Sequence, residues 1–218
     1  HQYALGGYYT GINGWEFSVE GYYKDMRNVL EYKDGVSFFG SSSGWENKVE
    51  MGKGRSAGIE FMAQKTAGKT TGWLSYTLSK SDRKFTKGGI NNGEWFPYKY
   101  DRRHSINLTI NHKFSDRIDI GASWVFYTGG TSTIPEEKTT VIRPHNGANN
   151  GFLWYGTYDN TNSSPTIGDV SYIEHRNNFR LPASHRLNMG VNFNKKTKHG
   201  MRTWNISLYN AYLSLIHI

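Results

Sequence analysis

The stretch Arg117-Ile118-Asp119-Ile120-Gly121-Ala122-Ser123-Trp124-Val125-Phe126-Tyr127 decides the fold. Ile118, Ile120, Ala122, Trp124 and Phe126 alternate with Asp119, Gly121 and Ser123. A period of two places one set on each face of an extended chain. Upstream, Ile106, Leu108 and Ile110 alternate with Ser105, Asn107, Thr109 and Asn111; downstream, Leu187, Met189, Val191 and Phe193 alternate with Asn188, Gly190, Asn192 and Asn194. Trp204-Asn205-Ile206-Ser207-Leu208 and Trp15-Glu16-Phe17-Ser18-Val19-Glu20 repeat the rule. The pattern predicts about eight strands, near 2–10, 14–28, 56–66, 70–80, 103–114, 117–128, 185–195 and 202–212. Most approach the ~10 residues of a membrane-spanning strand and exceed the ~5–6 residues of an ordinary globular one.

The two faces differ in kind. The polar face is built from Ser, Asn, Thr and Gly with scattered acids, as a wet barrel lumen would be, rather than from the Lys and Glu of a sandwich surface. The apolar face places aromatic residues near strand ends, as at Trp124, Phe126 and Trp204, in the manner of membrane-interface girdles. The competing architecture is a soluble β-sandwich with a one-sided core.

Connections then set the topology. Gly11–Gly14, Thr66–Lys69, Phe114–Asp116 and Lys195–Gly200 are short, whereas 29–55, 81–102 and 129–184 are long. Strict alternation of short and long links is the pattern of outer-membrane barrels, with short periplasmic turns and long extracellular loops. Because the first link is short, the first strand descends from outside, and the eighth ends outside. The expected fold is therefore all-β, an antiparallel transmembrane β-barrel present in part, with its final strand missing. The six residues Leu213–Ile218 depart from the preceding style. They match the translation of CTG TCT CTT ATA CAC ATC, a sequencing-library adapter, so the expectation is a native segment 1–212 and a non-native tail 213–218.

Composition agrees. The 218 residues include 25 Gly and no Cys, with 15% aromatic residues and a formal charge of +8. Lack of Cys removes disulfide scaffolds, Cys-ligated zinc and thiol catalysis. No run of 18 apolar residues exists, which removes a helical membrane span. None of the eight His falls at metal-ligand spacing, no HExxH or GxSxG is present, and the Glu136-Glu137 pair reads as a solvated turn. Neither an enzyme, a metal site nor a cofactor is expected. The basic balance raises nucleic acid as a partner, and aromatic and basic residues do interleave from Trp95 to Arg103. The strands on either side favour a membrane setting facing anionic lipopolysaccharide instead.

Several runs resemble the C-terminal barrel of TonB-dependent outer-membrane receptors. They are Gly21-Tyr22-Tyr23-Lys24-Asp25-Met26, Gly58-Ile59-Glu60-Phe61, Gly72–Ser79, Trp95-Phe96-Pro97 with Tyr100–His104, Tyr127–Gly130 with Pro135, and Arg180–Leu187. Their order is similar to that in Bacteroidota receptors carrying an N-terminal carboxypeptidase-like regulatory domain. The resemblance implies a 22-stranded barrel around a plug that lies upstream, energised by the TonB–ExbB–ExbD complex. It further implies active uptake of a scarce solute (siderophore, vitamin, glycan or peptide), with a surface lipoprotein as a further partner. A passive porin or adhesin barrel and a secreted carbohydrate-binding sandwich are the rival readings.

Ligand contact in such a barrel belongs to the outer loops. The candidates are Trp95, Tyr98, Tyr100, Arg102 and Arg103 in one loop and Trp154, Tyr155 and Tyr158 in another. Aromatic faces stack on sugars or planar ligands, and Arg clamps carboxylate or phosphate. Loop packing and lipopolysaccharide contact would use the same residue types. A repeated opening, His104-x-Ile106-Asn107 and His185-x-Leu187-Asn188, reads as shared barrel grammar with the imidazoles at headgroup level.

Overall fold

The computed structural model describes residues 1–33, 44–87, 90–143 and 166–212. Its strands are β1 (Gln2–Tyr9), β2 (Trp15–Tyr32), β3 (Val49–Lys65), β4 (Thr70–Lys84), β5 (Phe96–Pro97), β6 (His104–Lys113), β7 (Ile118–Tyr127), β8 (Thr131–Ser132), β9 (Glu137–Arg143), β10 (Thr166–Tyr172), β11 (Phe179–Arg180), β12 (Ser184–Thr197) and β13 (Gly200–Leu208). Eight long strands form one antiparallel sheet in the order β1-β2-β3-β4-β6-β7-β12-β13, and β5 adds to β4. Two small ladders, β9 with β10 and β8 with β11, lie apart from it. Among the described residues the sheet does not close on itself.

Pairing registers carry one face across the whole sheet. Val19 faces Phe61, which faces Tyr76; that residue pairs with Ile106, and Ile106 with Phe126. Phe126 in turn pairs with His185. On this face Val19 is 50% exposed, Ile59 55% and Trp204 63%. Among the described residues no second sheet covers it. Large apolar side chains left bare across so many strands mark a face solvated by lipid rather than water, and this removes the sandwich. From Ile118 to Phe126 the apolar row of β7 runs about 26 Å along the strand at ~3.3 Å per residue. Tilted by ~40°, it stands roughly 20 Å tall, close to the ~25 Å apolar band of outer-membrane barrels.

The opposite, lumenal face is hydrogen-bonded across strands. Asp119 accepts from the side-chain amides of Asn192 and Asn194, both at 2.7 Å. Asn192 accepts from Asn205 at 2.7 Å, and Asn194 from Thr203 at 2.8 Å. Glu20 and Glu60 stand directly opposite each other there.

The eight strands fall where the alternation places them, but the outer ends of β2, β3 and β4 run further than expected, whereas β13 stops at Leu208, short of the expected 212. The segment 29–55 was expected as loop; β2 instead continues to Tyr32 and β3 begins at Val49. Asn28, with φ 57°, is the extra residue of a bulge between Arg27 and Val29, and a bulge interrupts alternation without ending the pairing. Likewise β4 reaches Lys84, and the described residues of 129–184 include the four short strands β8 to β11. Leu213–Ile218 lies outside the described residues.

Candidate functional site

At the outer end of the sheet the connections after β4, β7 and β10 fold onto one another. The segment after β4 starts with a small core in which Phe85, Ile90 and Phe96 are buried, with Val29 packed against them. The bulge at Asn28 is what brings Val29 to the lumenal side. Among the described residues these three form the buried apolar core, so polar contacts carry most of the loop organisation.

Asp101 is the centre of those contacts. It is 2% exposed. Its carboxylate accepts from the Ser81 backbone N–H at 2.7 Å, from Arg103 Nε at 2.8 Å and from Arg180 at 2.6 Å. Arg180 also donates to the carbonyls of Asp101 at 2.7 Å and Gly129 at 2.9 Å. One guanidinium thereby ties the segment after β4 to those after β7 and β10. Thr131 donates to the Tyr98 carbonyl at 3.0 Å, and Asn177 to the Pro97 carbonyl at 2.7 Å. Arg176 donates to the Tyr32 carbonyl at 2.9 Å, and its backbone N–H donates to Asn91 at 2.6 Å. Charge-assisted bonds to a buried acceptor are the strong members of such a network. The outcome is a fixed collar at the mouth.

The expected ligand residues take different places on it. Tyr98 lies under the Arg83 guanidinium, 3.7 Å from the ring centre, and meets Tyr100 edge-on at 5.3 Å. Arg83 is held by Glu31 at 3.0 Å. Tyr100 is 64% exposed, with Lys99 over its ring at 4.8 Å. Arg102 is exposed and stacks on Tyr127 at 4.0 Å. Trp95 stands apart, with Arg55 over its ring at 4.3 Å, on the side that Ile59 shares. Arg103 is engaged by Asp101. Tyr98 and Tyr100 are thus in contact, Arg102 is on a separate platform, and Trp95 and Arg103 turn to the outer flank. Trp154, Tyr155 and Tyr158 lie outside the described residues.

Sequence reasoning named Arg103 but missed Asp101, Arg180 and Arg176, which organise the collar. Asp101-Arg102-Arg103 and Arg180-Leu181-Pro182 were visible as runs. No local signal joins residues 79 positions apart. Among the described residues no cluster of three or more His, Asp or Glu is gathered as metal ligands.

A sheet with one lipid-solvated and one hydrogen-bonded face, capped by locked outer loops, defines the wall of an outer-membrane β-barrel. The family described as TonB dependent receptor-like, beta-barrel, matches residues 1–212, and the chain belongs to it. Comparison with curated proteins gave no match. Membership places the protein in the outer membrane of a Gram-negative envelope, in a receptor and transporter family that works with TonB.

Proposed function

We propose that the protein takes up a scarce solute (a siderophore, vitamin, glycan or peptide) by TonB-driven transport, with residues 1–212 forming the C-terminal barrel wall and outer loops. Family membership is the observation that carries this reading. The collar adds to it, because Tyr98, Tyr100 and Arg102 stand on a preorganised mouth rather than on free loops. In this reading a ligand is caught by stacking on the tyrosines and by the Arg102 guanidinium. TonB–ExbB–ExbD then acts on an upstream plug and opens a path along the asparagine-rich lumen. A surface lipoprotein partner, a regulatory domain and a Bacteroidota source belong to the same proposal, and rest on the resemblance of the motifs quoted above.

Uptake assays on cells expressing the full receptor test it. Labelled ferric siderophore, cobalamin, an oligosaccharide and a peptide are supplied with and without TonB. Accumulation of one of them only in TonB-containing cells is expected, with a fall of about tenfold in binding for Tyr100→Ala combined with Arg102→Ala. Accumulation that persists without TonB, or steady ion conductance of the receptor in planar bilayers, would establish a passive barrel instead.

A further inference from the structure

Around the lumenal mouth, cations sit on tyrosine rings. On β2 the Lys24 ammonium lies 5.3 Å from the Tyr22 ring centre, and that ring packs over Gly58, where a Cβ would meet it at 2.8 Å. On the collar Lys99 stands over Tyr100 and Arg102 over Tyr127. Further round, the Arg186 guanidinium lies 5.0 Å from the Tyr209 ring centre and donates to its hydroxyl at 2.6 Å. Lys24 is opposite Ser56, Tyr127 opposite Ser184, and Arg186 opposite Val125. All three positions are one step out of phase with the lipid-facing set, which puts them on the lumenal face.

What holds a cation decides whether its charge survives. A carboxylate fixes the cation and cancels it, whereas an aromatic face fixes it through the ring quadrupole and leaves the charge in place. Arg83 and Arg176 share Glu31, and Arg103 and Arg180 share Asp101. Arg55 and Lys80, outward on β3 and β4, share Asp82. Among the described residues Lys24, Lys99, Arg102 and Arg186 meet no carboxylate. From β2 to β12 the sheet order counts five steps of ~4.8 Å, so these pairs span about 24 Å of wall. Uncancelled cations along one side of a lumen sum to a field that draws anions in and turns cations away.

We propose that the solute taken up is a polyanion, bearing several carboxylate or phosphate groups, and that this arc of cation–tyrosine pairs steers it from the collar into the lumen. The inference rests on the uptake reading for its cargo. A stacked guanidinium keeps N–H groups at its edge for an oxyanion, so Arg102 and Arg186 clamp while Lys24 and Lys99 act as point charges. The arc is wider than one acid group can bridge. Acid groups spaced along a single solute therefore engage successive pairs as it descends. Charges at a rim act chiefly on the rate of association, which suits capture of a scarce solute.

The test uses the full receptor in phosphatidylcholine nanodiscs, without TonB. The probes are hexaglutamate, its uncharged isostere hexaglutamine, and inorganic tripolyphosphate. At least one anion binds tenfold or more tightly than hexaglutamine, with an association rate that falls steeply as salt rises. Whichever anion binds tighter assigns the cargo as carboxylate or phosphate. Lys24→Gln with Lys99→Gln, and Arg102→Gln with Arg186→Gln, each lower that affinity severalfold, and the fourfold variant removes the preference. Lys53→Gln with Lys84→Gln, on the outward face, leaves it unchanged. Heat-modifiable migration reports assembly of each variant, and the two pairs serve should the fourfold variant fail to assemble. Equal affinity for anions and hexaglutamine, or binding of neither anion, overturns the proposal, as does a preference that survives the fourfold variant. Because this binding needs no TonB, failure of the uptake reading shows separately, as absence of TonB-dependent accumulation. Accumulation of a neutral solute that requires TonB keeps the uptake reading and overturns the polyanion.

Discussion

At the scale of single residues, the outer mouth depends on Asp101 more than on any residue the sequence pattern brings forward. Breaking a buried ion pair by removing one partner costs ~3–5 kcal/mol. Arg103 and Arg180 are each about a third exposed, so solvent screens part of that and about 2 kcal/mol is the fair expectation. The cost falls on the loops and not on the barrel. Asp101→Ala therefore speeds hydrogen exchange and proteolysis in 96–103 and 174–183 while heat-modifiable migration is kept. Unchanged protection of those loops would contradict the collar. A glycine makes the same point sterically. A Cβ on Gly129 would run into the Leu181 carbonyl oxygen, which is backbone and cannot swing aside, whereas one on Gly21 meets nothing within 4 Å. Gly129→Ala is expected to free the β8–β11 ladder to proteolysis, and Gly21→Ala to change nothing measurable. At the periplasmic end, a hydrogen bond and charge attraction from Lys113 hold the Asp116 carboxyl below its ordinary value. A depressed carboxylate stabilises the fold above its unfolded pKa, and that stability is lost as pH falls through the folded one. Both side chains are well exposed, so Asp116→Asn leaves barrel assembly unaltered at neutral pH.

At the scale of elements, legibility follows from what solvates each face. In β6, β7 and β12 lipid lies on one side and the lumen on the other, so the side-chain period declares the strand. Above the membrane both faces are wet. Arg27, Lys53 and Lys84 then replace the apolar set, and the period vanishes although the ladder continues from Lys53↔Lys84 downward. The bulge at Asn28 hides the continuation further. Two-residue strands such as β5 and β11 are too short for any period. The collar could not be read because its organising contact joins Asp101 to Arg180, set by folding of the loops and not by local pattern. The bulge yields a test. Asn28 is the unpaired extra residue, with Arg27↔Lys53 below it and Val29↔Gly52 above, so deleting it preserves every facing residue. A receptor lacking Asn28 still assembles. Inserting one residue between Tyr22 and Tyr23 turns Tyr23, Asp25 and the rest of β2 to the opposite faces, and assembly is lost. Equal behaviour of deletion and insertion would refute the assigned register.

At the scale of the whole molecule, a mean hydropathy of −0.68 coexists with a membrane-spanning wall. Among the described residues the buried apolar core is three side chains in the outer loops; the larger apolar surface faces outward. Stability of such a wall comes from ladder hydrogen bonds and from lipid solvating one face, not from a packed interior. The tryptophans report this inversion directly. Trp124 pairs with Leu108 and Leu187 on the lipid face, whereas Trp73 pairs with Gln64 and Thr109 on the lumenal face. Both sit in mid-sheet strands at comparable distance from a strand end. In the full receptor reconstituted into brominated phosphatidylcholine, heavy-atom contact quenches indoles that touch acyl chains. Trp124→Phe should therefore remove a component that brominated lipid quenches, and Trp73→Phe one that it spares. An aqueous quencher such as acrylamide should reverse the order where it can enter the lumen. If Trp73 were the lipid-quenched residue, the faces would be exchanged throughout, because the registers from β1 to β13 tie them together.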